Sequence, residues 1–246
     1  MIELWLVDLQ RSAAALEALE REAPLLAAAD RRRTAAIKDP QRRRERLVAH
    51  IALRLALERV AGPSVRGQAH MRRAGAKPRL ATGEASFSLS YSTGLALIGI
   101  ASTGPIGVDL EALRVVRASK WRRQAIMAAA AGLVGGSIAE PDSDGGFLQA
   151  WCRLEAYAKA QGEGLARALA DLGLRGTAKR PAPTCVTATA RALVFSAGLA
   201  VSDATLPGGL YGAVALARGA APPPVRPFPA DVTDVRGLLW ERGSAL

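Results

Sequence analysis

Ile106-Gly107-Val108-Asp109-Leu110-Glu111, answered about forty residues later by Trp151-Cys152-Arg153-Leu154-Glu155 and then Lys159, is the pairing around which the rest of the chain arranges itself. The first stretch is an apolar run that ends in an acidic pair. As a strand over residues 107–111 it projects Asp109 and Glu111 from one face, so both can reach one ion. As a helix over residues 147–161 the second stretch puts Glu155 and Lys159 one turn apart on one face, where an acid and a base can address the same ligand. Three carboxylates suit Mg²⁺, which takes hard oxygen ligands from protein, phosphate and water. Each part alone has a plainer reading, a solvated strand end or a surface ion pair worth roughly a few tenths of a kcal/mol. Trp151, one turn before Glu155, is expected to pack behind the acid helix and fix it, and Tyr157 and Trp121 are read as core.

Other motifs keep company with this pair. They are Ala76-Lys77-Pro78, Phe87-Ser88-Leu89-Ser90-Tyr91-Ser92 and Gly162-Glu163-Gly164-Leu165. In order and spacing, residues 76–165 resemble the 4′-phosphopantetheinyl transferases of the surfactin-synthetase-activating type. The pattern of that family reads roughly G-K-P, F-N-x-S-H-S, G-V-D-I-E, W-x-x-K-E-A-x-x-K and G-x-G-L. The resemblance implies an α+β fold of two pseudo-symmetric α/β halves with the active site in the cleft between them. It implies Mg²⁺-dependent transfer of 4′-phosphopantetheine from coenzyme A to a serine of an acyl or peptidyl carrier protein, releasing 3′,5′-ADP.

The same resemblance assigns roles. Asp109, Glu111 and Glu155 would hold the metal, Lys159 would meet the phosphates, and Glu155, directly or through a metal-bound water, would act as base toward the carrier serine. Lys77, Pro78, Ser90 and Tyr91 would line the nucleotide end of coenzyme A. The early-helix arginine of the family aligns with Glu45, so Arg44 or Arg46 would take the 3′-phosphate. Tyr91 stands where the family has His and brings no positive charge at neutral pH, which leaves that contact to an arginine. Leu154 replaces a Lys and cannot touch phosphate or a partner carboxylate.

Composition agrees with such an enzyme. The chain has 246 residues, half of them apolar, enough for a substantial core. The most apolar segment, residues 95–108, is interrupted by Ser102-Thr103-Gly104-Pro105 and falls short of a membrane span. Residues 1–10 carry Glu3 and Asp8 and no basic leader, so they read as a first strand, and a cytoplasmic location is expected. Cys152 and Cys185 are too few for a disulfide framework or a zinc site. His50 and His70 have no ligand partner at useful spacing and read as structural.

The net charge of +11 is uneven. From Arg31 to Arg79 there are thirteen Arg and two Lys against Asp39, Glu45 and Glu58, a balance of +12. A one-sided field of this kind attracts phosphates, nucleic acid or an acidic protein. Few aromatics interleave with these arginines, which weighs against single-strand binding. Two alternatives therefore stand beside the transferase: a non-catalytic descendant that binds coenzyme A or a carrier protein, and a metal-dependent nucleic-acid-binding protein. Two fused halves would make a monomer self-sufficient.

The expected elements begin with a strand at 2–9, Trp5, Val7 and Leu9 on one face, and a helix capped by Ser12 running to Glu22. A second helix follows Pro40 to Gly62-Pro63, with Arg42, Arg43, Arg46 and Arg54 on its basic face. Strands follow at 87–90, 95–101 and 106–110, then helices at 119–134 and 147–161 about a loop at 135–146. Strands are read at 185–189, 192–195 and 211–217, a Pro-rich tether at 219–229, and a tail at 231–246 that either packs through Leu238, Leu239 and Trp240 or stays loose. The halves are read as 1–104 and 105–218, followed by the tether and tail, 219–246.

Overall fold

A computed structural model describes residues 1–71, 78–80, 83–136, 143–175 and 180–240. The chain runs β1 (Ile2–Asp8), α1 (Ala13–Glu22), α2 (Ala28–Ala35), α3 (Pro40–Ala61), β2 (His70–Met71), β3 (Arg79–Leu80), β4 (Ser86–Ser92), β5 (Leu95–Ala101) and β6 (Ile106–Ala112). It continues α4 (Lys120–Val134), α5 (Asp144–Gln161), α6 (Leu165–Asp171), α7 (Pro183–Ser196), β7 (Leu199–Asp203), β8 (Leu210–Ala217), β9 (Val225–Pro227) and α8 (Val232–Trp240). Among the described residues this is a mixed α+β fold of eight α-helices and three small sheets. It forms two compact units.

The first unit is built on the sheet β4-β5-β1-β9. β5 pairs antiparallel with both β1 and β4, Ile98 lying opposite Trp5 on one side and Leu89 on the other. Trp5, Val7 and Leu9 enter its core as their alternation predicts, together with Ala96, Ile98 and Ile100 of β5. α3 supplies much of the remainder. Asp39 Oδ1 accepts the Arg42 amide at 2.7 Å, Pro40 occupies the first turn, and Gly62 at φ 90° ends the helix. Val48, Ile51, Leu55 and Val60 are buried at three- to five-residue steps.

Three readings in this unit are corrected. Ser12 precedes α1 without a side-chain cap bond, and its hydroxyl donates to the Pro229 carbonyl at 3.0 Å. Asp8 Oδ1 instead accepts the Gln10 and Arg11 amides at 3.0 and 2.9 Å. Arg54 does not join the basic face of α3, since it is 1% exposed and paired with Asp30. The tether contains a strand: β9 lies beside β1, and the Phe228 amide donates to the Leu6 carbonyl at 2.8 Å. Phe228 meets Trp5 edge-on at 5.7 Å, and Val235 and Leu238 of α8 are buried in the same core. The side chains of Leu239 and Trp240 lie outside what is described.

The second unit is built on the antiparallel sheet β6-β8-β7. α5 lies on β6 and β8, and α4 packs against α5 and α7. α5 begins at Asp144, earlier than expected, with Ser143 Oγ accepting the Gly146 amide at 2.9 Å. The strands read at 185–189 and 192–195 are corrected to the single helix α7. Their β-branched residues favour strands, but Val186, Ala190 and Val194 recur every four residues and form one buried stripe. Gly132 of α4 allows the close approach, since a Cβ there would run into the Thr187 carbonyl of α7.

Candidate active site

Packing of α5 on β6 brings the acidic residues together. Gly107 is the contact point: a Cβ there would strike the Ala156 carbonyl oxygen and stand 2.5 Å from the Ala160 amide nitrogen. Without a side chain at 107 the helix settles onto the strand, a recognised use of glycine in a sheet. Asp109 and Glu111 follow Gly107 at the two-residue period and so share its face. Glu155 and Lys159, at the four-residue period of α5, bracket the contact residue Ala156.

The resulting geometry is specific at Asp109, which is 5% exposed. Lys159 Nζ donates to Asp109 Oδ1 at 2.6 Å and to the Val108 carbonyl at 3.1 Å. Glu111 is less enclosed and accepts from Arg114 Nη2 at 3.2 Å. Glu155 is half-buried, and its carboxyl is held above the ordinary range by burial, then by the charges of Asp109 and Glu111, with Lys159 opposing. Beneath them Cys152 is buried; its thiol is pushed up by burial and then by Asp109 and Glu111, so it stays neutral.

A second group of residues, which no sequence motif marks, holds α5 in place. Arg153 makes two hydrogen bonds of 2.7 Å to the two oxygens of Asp203, and Gln149 donates to Asp203 at 2.7 Å and to the Gly212 carbonyl at 2.9 Å. Gln149 and Arg153 share a helix face at the four-residue spacing, the one signal available in the sequence; Asp203 ends β7, a strand with no clear pattern of its own. Trp151 stacks on Phe147 at 6.4 Å and packs against the core of this unit, as expected. Tyr157 is buried as expected, whereas Trp121 is half-buried under Arg180 at 5.1 Å. Leu154 is fully buried in the same core.

The other described candidates, Arg44, Arg46, Pro78, Ser90 and Tyr91, lie in the first unit. Ser90 and Tyr91 are neighbours on β4, and the Arg46 guanidinium lies 3.7 Å from the centre of the Tyr91 ring. Arg44 is instead tied to Glu17 by hydrogen bonds of 2.7 and 3.0 Å. It lines a groove of about 940 Å³ with Asp8, Asp39, Arg42 and Glu45, a mixed lining and not a basic one. Pro78 precedes β3, half-buried, and Lys77 lies outside the described residues.

Asp109, Glu111 and Glu155 are the donors of this region that suit a divalent cation: hard carboxylate oxygens whose mutual repulsion is registered at Glu155. Among the described residues, no three Asp, Glu, His or Cys side chains converge at metal-ligand spacing. Lys159 supplies the positive charge at Asp109. The fit to a hard cation is therefore one of donor chemistry: three carboxylates with an ammonium beside one of them. No helix of the described residues is long and apolar enough to cross a membrane. No protein-family model matches the chain, and no curated protein matches it.

Proposed function

We propose that this chain is a Mg²⁺-dependent 4′-phosphopantetheinyl transferase that moves the phosphopantetheine arm of coenzyme A onto a serine of an acyl or peptidyl carrier protein. The observation that carries the reading is the placement of Asp109, Glu155 and Lys159 around the Gly107–Ala156 contact. Residues from two motifs, far apart in sequence, fall within one electrostatic neighbourhood, as the reaction requires. The family also has two halves related by pseudo-twofold symmetry, and supporting that part is that each unit has its own sheet and apolar core.

In the reaction the serine oxygen attacks the phosphorus that bears pantetheine, the new O–P bond forms, and the bond to the departing 3′,5′-ADP breaks. Mg²⁺ held by Asp109, Glu111 and Glu155 would supply positive charge to the diphosphate. The serine must lose its proton as it attacks. Glu155 is the candidate acceptor, a half-buried carboxylate within electrostatic reach of Asp109, Glu111 and Lys159. Lys159 brings an ammonium to the phosphate oxygens from one turn further along the helix. Arg46, stacked on Tyr91, restores the positive charge that Tyr91 lacks and is the arginine we assign to the 3′-phosphate. Leu154 does not bear on the chemistry, because it is a core residue.

The test is incubation with coenzyme A, Mg²⁺ and a panel of apo-carrier proteins, read by intact mass. A phosphopantetheine adduct is expected, reduced about a hundredfold or more in rate by Glu155→Ala. No adduct on any carrier, with coenzyme A binding retained, would leave a non-catalytic binder. Salt-sensitive nucleic-acid binding without coenzyme A binding would favour the nucleic-acid alternative.

A further inference from the structure

Asp109 cannot give the same oxygen to an ammonium and to a metal ion at full strength. We propose that Lys159 is an internal competitor for the cation site, and that a divalent ion enters Asp109 as the ammonium swings away to the diphosphate. This inference rests on the reading that Asp109 is a metal ligand of a phosphopantetheinyl transferase.

The geometry carries it. Lys159 Nζ is fixed by two oxygens of adjacent β6 residues, Asp109 Oδ1 at 2.6 Å and the Val108 carbonyl at 3.1 Å. The pair is sheltered, with side-chain exposures of 26% for Lys159 and 7% for Asp109, so water screens it poorly. Lysine suits the exchange because it carries a compact charge on a flexible four-carbon stem and can trade one oxygen partner for another without moving its helix. α5 is itself anchored, by the Gly107 contact and by Arg153 and Gln149 on Asp203. Motion is thereby confined to the lysine side chain. The consequence is selectivity. A singly charged ion gains too little at Asp109 to displace an ammonium of equal charge, whereas a divalent ion gains more, and most when a diphosphate receives the lysine.

The experiment uses the full chain, first without nucleotide and then with coenzyme A. Mn²⁺ binding is titrated by electron paramagnetic resonance in wild type, Lys159→Met and Lys159→Arg. The Lys159 ammonium is followed by NMR under Mg²⁺; the chain has five lysines, and the resonance missing from Lys159→Met identifies it. We expect Mn²⁺ to bind about tenfold tighter to Lys159→Met, little tighter or weaker to Lys159→Arg, and Mg²⁺ to shift the Lys159 resonance in wild type. Equal Mn²⁺ affinity in wild type and Lys159→Met, with an unmoved Lys159 resonance, overturns the competition and leaves the transferase reading in place. Failure of all three proteins to bind Mn²⁺, with or without coenzyme A, overturns the metal site and the inference with it.

Discussion

Arg54 is a charged side chain with 1% exposure, and Asp30 is what holds it there. Asp30 pairs with Arg54 through one carboxylate oxygen and with Arg33 through the other, while His70 Nδ1 stands 3.9 Å away and its ring lies 4.6 Å from that of Phe87. Removing one partner of a buried pair leaves the other charge uncompensated, so Arg54→Ala should lower stability by about 3–5 kcal/mol in urea titration. Replacing both, Asp30→Leu with Arg54→Met, should recover most of that loss. His70 gives the same cluster a pH dependence. Burial and then the Arg54 charge lower its protonation from 6.5 to about 3, so the unfolded chain takes up a proton that the folded chain refuses between those values. Stability contributed by neutral His70 is whole above about pH 6.5 and falls on acidification through that window, by up to about 1.4 kcal/mol per pH unit. Asp30 acts at the acid end: Arg54 outweighs the effect of burial and holds its carboxyl low, so its contribution is lost only as pH falls below the ordinary 3.8. His70→Phe should flatten the slope between about pH 5 and 6.5, checked by urea titrations across that range. None of this is legible in the sequence. Arg54 sits in an arginine-rich run that reads as solvated, and Asp30 lies in α2, which no periodicity announces.

At the scale of elements, the approach of α5 to β6 is set by Gly107. Gly107→Val would drive a branched side chain into helix backbone, which cannot rotate aside as a side chain could. We expect a loss of about 1–3 kcal/mol or more, and loss of the proposed transfer activity although no acidic residue is touched. Calorimetry and the adduct assay would read the two effects separately, and unchanged stability with full activity would refute the packing argument. The strands β1, β4, β5, β6 and β8 and the helices α3, α4 and α5 are legible, because each has a clean two- or four-residue period or a cap. α7 is not, since Thr and Val favour strands locally and only the packing of Val186, Ala190 and Val194 decides for helix. β7 is short, and its apolar part is only Leu199-Ala200-Val201 before Ser202 and Asp203, too few residues to set a period. For the site, the spacing predicts the faces of Asp109, Glu111, Glu155 and Lys159, whereas the hold of Asp203 on α5 depends on that unmarked strand.

At the scale of the whole molecule, the basic region is less bare than its count suggests. Residues 1–30 carry six acids against Arg11 and Arg21, a balance of −4, and several of these acids pair into the arginine run. Glu3 takes Arg59, Glu17 takes Arg44, Glu20 takes Arg31, and Asp30 takes Arg33 and Arg54. The first unit also draws on both ends of the described chain. Cutting the chain after Arg218 would remove Phe228, Val235 and Leu238 from its core. Hydrogen exchange should then show lost protection in β1, α1 and α3 and retained protection in α5 and β6, whose core lies within 104–225. Equal loss in both units would refute this. The same routing orders events during synthesis. Every strand and helix of the acid-bearing unit leaves the ribosome before β9 and α8 do, so that unit can close on itself co-translationally. The unit made first must wait for Val235 to emerge, and until then the part of its core that Phe228, Val235 and Leu238 complete is left open on the nascent chain.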